Sequence, residues 1–252
     1  MSNKLFGLLT CSIAMTGGLA FSGEAQAPRS PTPSAIEGIV DVETVAEGLE
    51  HPWGLAFLPD QRMLVTERPG RLRIATLAGN LSEPLAGVPP VQQGGQGGLL
   101  DVQLDPRFQQ NGFLYLSFAE PAEDGTAGTS VARRRLVGER LEDVQVIYRQ
   151  QPKVKGKQHF GSRLVFLRDG TLIVTQGERF DYRNQAQDLT SGLGKIVRIN
   201  SDGSIPRDNP FADRAPERPE IWSYGHRNVQ AATIEPGDRT TLDGRAWRSW
   251  WR

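Results

Sequence analysis

The stretch SRLVFLRDGTLIVTQGE, Ser162 to Glu178, decides the fold. Two short apolar alternations flank Asp169-Gly170, a pair in which both residues tolerate positive φ, and an acid closes the second alternation. This is the pattern of an antiparallel hairpin. It occurs twice more upstream, in GLAFLPDQRMLVTER (Gly54 to Arg68) and in LLDVQLDPRFQQNGFLYLSFAE (Leu99 to Glu120). The turns centre on Asp60, on Asn111-Gly112 and on Asp169, so they lie 51 and 58 residues apart. Further strands are predicted at Leu72–Leu77, Ser130–Leu136, Asp143–Tyr148 and Gly194–Asn200, and no window shows a convincing amphipathic helix. Three or four strands per repeat at this period predict an all-β chain, a β-propeller of four-stranded antiparallel blades. A two-sheet sandwich would leave the recurrence unexplained. Blades are expected to begin near Gly54, Leu99, Ser162 and Ile221, so about four are present and the ring is incomplete.

Composition narrows the class. The 252 residues carry no net formal charge, which argues against a dedicated nucleic-acid binder. Residues 1–27 read as a signal peptide: Lys4, an apolar run from Leu5 to Phe21, then Ala25-Gln26-Ala27 as the cleavage form. The expected location is therefore periplasmic or secreted, with no stable membrane insertion after cleavage. Cys11 lies inside this segment, so the mature chain has neither disulfides nor thiol chemistry. Residues 28–38 begin PRSPTPSA and read as a linker, and residues 39–230 as a partial propeller. The end, residues 231–252, is aberrant. Its last eight residues, RAWRSWWR, hold three of the five tryptophans and three arginines. A cationic, aromatic membrane-contact tail is one reading; a frameshift or truncation of a longer protein is the expectation.

Three polar constellations offer chemistry. Gln96 sits between two glycine pairs in GGQGG, where the backbone can approach a ligand closely. A flexible loop is the plainer reading. His159 lies in KGKQHFGSRLVF, between lysines and a strand; Lys155 and Lys157 favour the neutral imidazole that a general base needs. The stretch alone leaves open a simple loop histidine. Arg227 and Asn228 follow a strand in SYGHRNVQ; the arginine suits a carboxylate or a developing oxyanion, the asparagine an amide contact. A polar turn is the alternative. No phosphate-binding loop, GxSxG elbow or HExxH motif is present, so catalysis with these residues needs a cofactor.

Together, HPWGLAFLPD with LVTERPGRLR, GGQGGLLDVQLDP, HFGSRLVF, GKIVRINSDGSIPRDNPF and EIWSYGHRNVQ resemble the soluble pyrroloquinoline quinone (PQQ)-dependent sugar dehydrogenases. The likeness is to the glucose/sorbosone dehydrogenase family, in its aldose sugar dehydrogenase branch, and runs in family order from about Ile39 to Gln230. The resemblance implies a six-bladed propeller with PQQ at the mouth of the ring. It implies oxidation of an aldose at its C1 hydroxyl to a lactone, by hydride transfer to PQQ and on to an external electron acceptor. In that scheme His159 is the general base and Arg227 polarises the quinone oxygen. Asn228 contacts the cofactor, and Gln96 lies near base and cofactor. Calcium accompanies PQQ in the family, held by groups beyond the GHRN stretch. Here the Arg/Trp end replaces them, so this chain is expected to bind PQQ weakly or not at all and to have impaired activity. Gln158 stands where some members have an acidic partner for the histidine. The rival reading is a non-catalytic secreted propeller that binds protein or glycan.

Overall fold

The computed structural model describes residues 42–234. The expected signal peptide and linker, and all of the aberrant end after Ile234, lie outside the described residues. The chain divides into two compact units, Met1–Glu43 and Thr44–Arg252, and all the described strands belong to the second.

Eleven strands among the described residues form three antiparallel sheets. The first holds β1 (Pro52–Phe57), β2 (Met63–Glu67) and β3 (Arg71–Ala75) in that order. The second holds β4 (Leu99–Leu104), β5 (Phe113–Pro121), β6 (Ala127–Val137) and β7 (Arg140–Arg149). The third holds β8 (Gly161–Phe166), β9 (Leu172–Gln176), β10 (Lys195–Ile199) and β11 (Ile221–Tyr224). These are propeller blades, each a meander of sequence neighbours. No helix among the described residues is long and apolar enough to cross a membrane.

Burial on both faces explains the apolar runs. In β5, Leu114, Leu116 and Phe118 pack with Leu64, Leu72 and Ile74 of the first sheet. Tyr115, between them, packs with Leu164, Leu172 and Val174 of the third. A strand covered on both sides has no polar face, hence FLYLSFAE rather than a strict alternation.

Two expectations need correction. Asn111-Gly112 does not make a two-residue hairpin turn. Asn111 ends a single helical turn, α1 (Phe108–Asn111), and Gly112 caps it at φ 67° with its N–H on the Phe108 carbonyl. Asp105 organises this loop by accepting from the Arg107 N–H and from Asn111 Nδ2. Nor does Ile221 open a fourth blade: Ile221–Tyr224 is the outer strand of the third sheet, paired with β10.

The start of the next repeat is fixed by a hydroxyl that recurs in each sheet. The first strands β1, β4 and β8 all carry an irregular step in register. There the N–H groups of Gly54, Asp101 and Arg163 donate to Thr66, Ser117 and Thr175 of the second strands, at 2.8, 2.9 and 2.9 Å. Each hydroxyl then donates onward: Thr66 to the Leu100 carbonyl, Ser117 to Ser162 at 2.6 Å, Thr175 to Val229 at 2.7 Å. Val229 thus stands to the third sheet as Leu100 and Ser162 stand to the first and second. Beyond it, Ala231–Ile234 share a groove with Arg163–Phe166, and Ile234 packs on Leu167, Ile173 and Ile196. Residues 231–234, read as part of the aberrant end, are therefore packed against the third sheet.

Candidate functional site

In a four-stranded meander, the connection after the second strand and the connection to the next sheet leave from the same end. The chain uses both kinds. Gln96 precedes β4, His159 precedes β8, Glu178 follows β9, and Arg227 and Asn228 follow β11. All four residues predicted from the sequence meet here.

Glu178 is the hub. Its side chain is 1% exposed, and Oε1 lies 2.9 Å from His159 Nδ1 and 3.5 Å from Arg227 Nε. Its other oxygen, Oε2, is buried and has no hydrogen-bond partner among the described residues. The backbone couples the same residues, since the Glu178 N–H donates to the Arg227 carbonyl at 2.9 Å. Phe180 lies across the pair: its ring meets the His159 ring edge-on at 5.2 Å, and the Arg227 guanidinium sits 5.8 Å from its centre.

His159 has φ 52°, a left-handed backbone that costs a non-glycine residue about 1 kcal/mol. Its N–H donates to Gln96 Oε1 at 2.8 Å. The same oxygen accepts from Asn228 Nδ2 at 3.4 Å, and Asn228 Oδ1 accepts from the Gly161 N–H at 3.0 Å. Gln96 and Asn228 therefore clasp the backbone on either side of the histidine, work that their expected role as cofactor contacts does not include. Two glycines make the clasp possible. A Cβ on Gly177 would lie 2.0 Å from the His159 carbonyl oxygen, and one on Gly95 2.4 Å from that of Lys157.

The local charge differs from the sequence expectation. Lys155 and Lys157 are exposed, and Lys157 lies along Gly94. The charge that touches the imidazole is the Glu178 carboxylate. A carboxylate on Nδ1 holds the proton there and leaves Nε2 as the acceptor, to which no described residue hydrogen-bonds. Arg227, with its side chain 57% exposed, presents a cation 3.5 Å from the same carboxylate oxygen.

The other histidines are placed differently. His51 is exposed. His226 Nε2 is 2.8 Å from Ser223 Oγ, and burial, helped by the Lys195 cation, pushes its pKa down to about 4. Sequence reasoning missed Glu178 and Phe180 as partners of His159. The signal for Glu178 was present, because it is the acid that closes the third hairpin. Among the described residues no group of three or more His, Cys, Asp or Glu is arranged to hold a metal ion. The family's calcium ligands were expected in the region that the Arg/Trp end replaces, and that end lies outside the described residues.

The family model for glucose/sorbosone dehydrogenase matches residues 49–243. The chain is 46% identical over 205 residues to the aldose sugar dehydrogenase YliI of Escherichia coli, covering 80% of this chain and 55% of that one. It is similar to the apo-form crystal structure of the soluble aldose sugar dehydrogenase from E. coli, with a TM-score of 0.75 at 47% identity, covering 78% of this chain and 57% of that one. It is also similar to the PQQ-bound aldose sugar dehydrogenase from Streptomyces coelicolor, with a TM-score of 0.64 at 34% identity, covering 74% and 54%. The chain spans 55–61% of the length of the first curated relatives it matches.

Proposed function

The chain belongs to the glucose/sorbosone dehydrogenase family, and from that premise we propose that it serves the oxidation of an aldose at the C1 hydroxyl to a lactone. PQQ, when bound, supplies an oxidant that takes up the hydride leaving C1, and an external acceptor removes the electrons afterwards. The donor set suits such a flat, oxygen-rich group: an exposed guanidinium on Arg227, the half-buried amides of Gln96 and Asn228, and the Phe180 ring close by. Calcium belongs to this proposal through the family alone, as does the closure of the blades into a ring of six.

His159 Nε2 accepts the hydroxyl proton of the sugar. Glu178 keeps the Nδ1 proton in place, orients the ring and stabilises the imidazolium that forms, without taking the proton itself. Arg227 offers positive charge where electron density gathers on an acceptor oxygen. Its weak tie to Glu178, 3.5 Å through Nε, leaves the Nη groups available for that. Gln96 and Asn228 hold the strained backbone so that the ring does not drift. Processing of residues 1–27 and a periplasmic location complete the proposal.

The observation that carries this reading is the His159–Glu178 pair beside an exposed Arg227. Its test is aldose-dependent dye reduction with PQQ and calcium supplied, comparing the chain with its His159→Ala variant. Turnover is expected to fall about 10²- to 10⁴-fold, while PQQ binding, followed by absorbance titration, stays. Unchanged turnover in the variant would remove His159 from the role of base. Binding of a glycan or protein without any sugar oxidation would favour the non-catalytic propeller instead.

A further inference from the structure

We propose that Arg179 is the positioning residue that sets the general base, a role that rests on the reading of His159 as that base. Arg179 is fully buried. No carboxylate among the described residues pairs with it, although burial favours losing its charge and pulls its pKa only to about 10, so it stays cationic. Its donors go instead to three backbone carbonyls: Nε to Gln158 at 3.0 Å, Nη2 to Gly156 at 2.6 Å and Nη1 to Ala127 at 2.5 Å. Two of these lie in the loop that carries His159, and the third lies at the start of β6 in the neighbouring sheet. The guanidinium also sits 3.7 Å from the centre of the Phe160 ring, the residue after the histidine.

Three consecutive residues therefore grip the same short loop. Glu178 holds the imidazole, Arg179 the loop backbone, and Phe180 meets the ring in an edge-on contact. Arg179 and Phe180 adopt φ 62° and 66°, two successive left-handed non-glycine residues, which this turn requires if all three side chains are to reach residues 156–160. The Arg179 N–H adds a bond to the His159 carbonyl at 3.3 Å. A planar five-donor head satisfies several carbonyls in fixed directions, and a lysine ammonium does not reproduce that fork.

The test uses the intact chain and reads the ring as well as the rate. In Arg179→Lys, shown by circular dichroism to be folded, the His159 Nδ1 proton resonance should broaden or vanish in NMR. Amide exchange over residues 156–160 should rise at least tenfold. Where turnover is measurable, kcat should fall about 10- to 100-fold with the sugar KM nearly constant. Added guanidinium should restore the resonance in Arg179→Ala. A folded Lys variant with an unchanged Nδ1 resonance and unchanged loop protection would overturn the proposal. If both variants unfold, the wild type decides: the Arg179 Nε–H must exchange as slowly as the loop amides, and rapid exchange of that proton would overturn it. These NMR outcomes stand whether or not His159→Ala keeps its activity, so the two readings fail separately.

Discussion

Glu120 and Glu178 occupy the same place in successive sheets, three residues beyond the hydroxyls Ser117 and Thr175, yet they are treated in opposite ways. Glu120 is saturated. Ser130 Oγ donates to it at 2.9 Å, Arg149 Nε at 3.0 Å and Lys153 Nζ at 2.8 Å. Burial raises its pKa, but the bonds from Lys153, Ser130 and Arg149 outweigh that and hold the carboxyl below its ordinary range. Glu178 is buried more deeply and has fewer partners: a titratable ring, a distant guanidinium and one oxygen without a bond. The same strand end is a structural clamp in one sheet and a poised carboxylate in the next. What changes is the element placed opposite. A hydroxyl from β6 and fixed cations from β7 and the following loop face Glu120, while a loop bearing histidine faces Glu178.

The sharpest way to break this contrast is to neutralise each acid in turn. Glu178→Gln keeps the shape and removes the charge, so dye reduction should fall about 10²- to 10³-fold, measured with PQQ and calcium present; a loss under threefold would reduce Glu178 to a second clamp. Gly177→Ala attacks the approach of the two loops. With 2.0 Å between the new Cβ and the His159 oxygen, it should cost about 3 kcal/mol in urea unfolding.

Acid titration separates another histidine from both. His226 has its pKa depressed to about 4 from the ordinary 6.5. Its contribution is complete above pH 6.5 and is lost as pH falls towards 4. Stability should therefore drop by roughly 3 kcal/mol across that window, and His226→Asn should flatten the curve there. Glu120, also depressed, loses its contribution only below its unfolded value, near 4.5. Glu120→Gln should have the smallest effect, about 1 kcal/mol at neutral pH, with no change in the His159 ring resonances.

How much of this was legible follows from the range of each interaction. The hairpins around Asp60 and Asp169 are local, and their turn chemistry and alternation could be read directly. Asn111-Gly112 misled because Asn-Gly serves a helix C-cap as readily as a hairpin; Asp105, which organises that loop, lies six residues upstream. Ile221 misled because an apolar tetrapeptide pairs equally well as the last strand of one sheet or the first of the next. The pairing with β10, a contact between segments more than twenty residues apart, separates the two. Gln96, His159, Arg227 and Asn228 were found as isolated motifs and through family likeness. Their meeting point, Glu178, looked like one more hairpin-closing acid, and no short-range pattern distinguished it from Glu120.

The hydroxyls of Thr66, Ser117 and Thr175 have a consequence beyond holding sheets together. Gln96 leads into the second sheet and His159 into the third, so the distance between them includes a gap between neighbouring sheets. These hydroxyls act as spacers across such gaps, and a methyl in place of Ser117 Oγ is expected to shift the proposed site from behind without touching any residue within it.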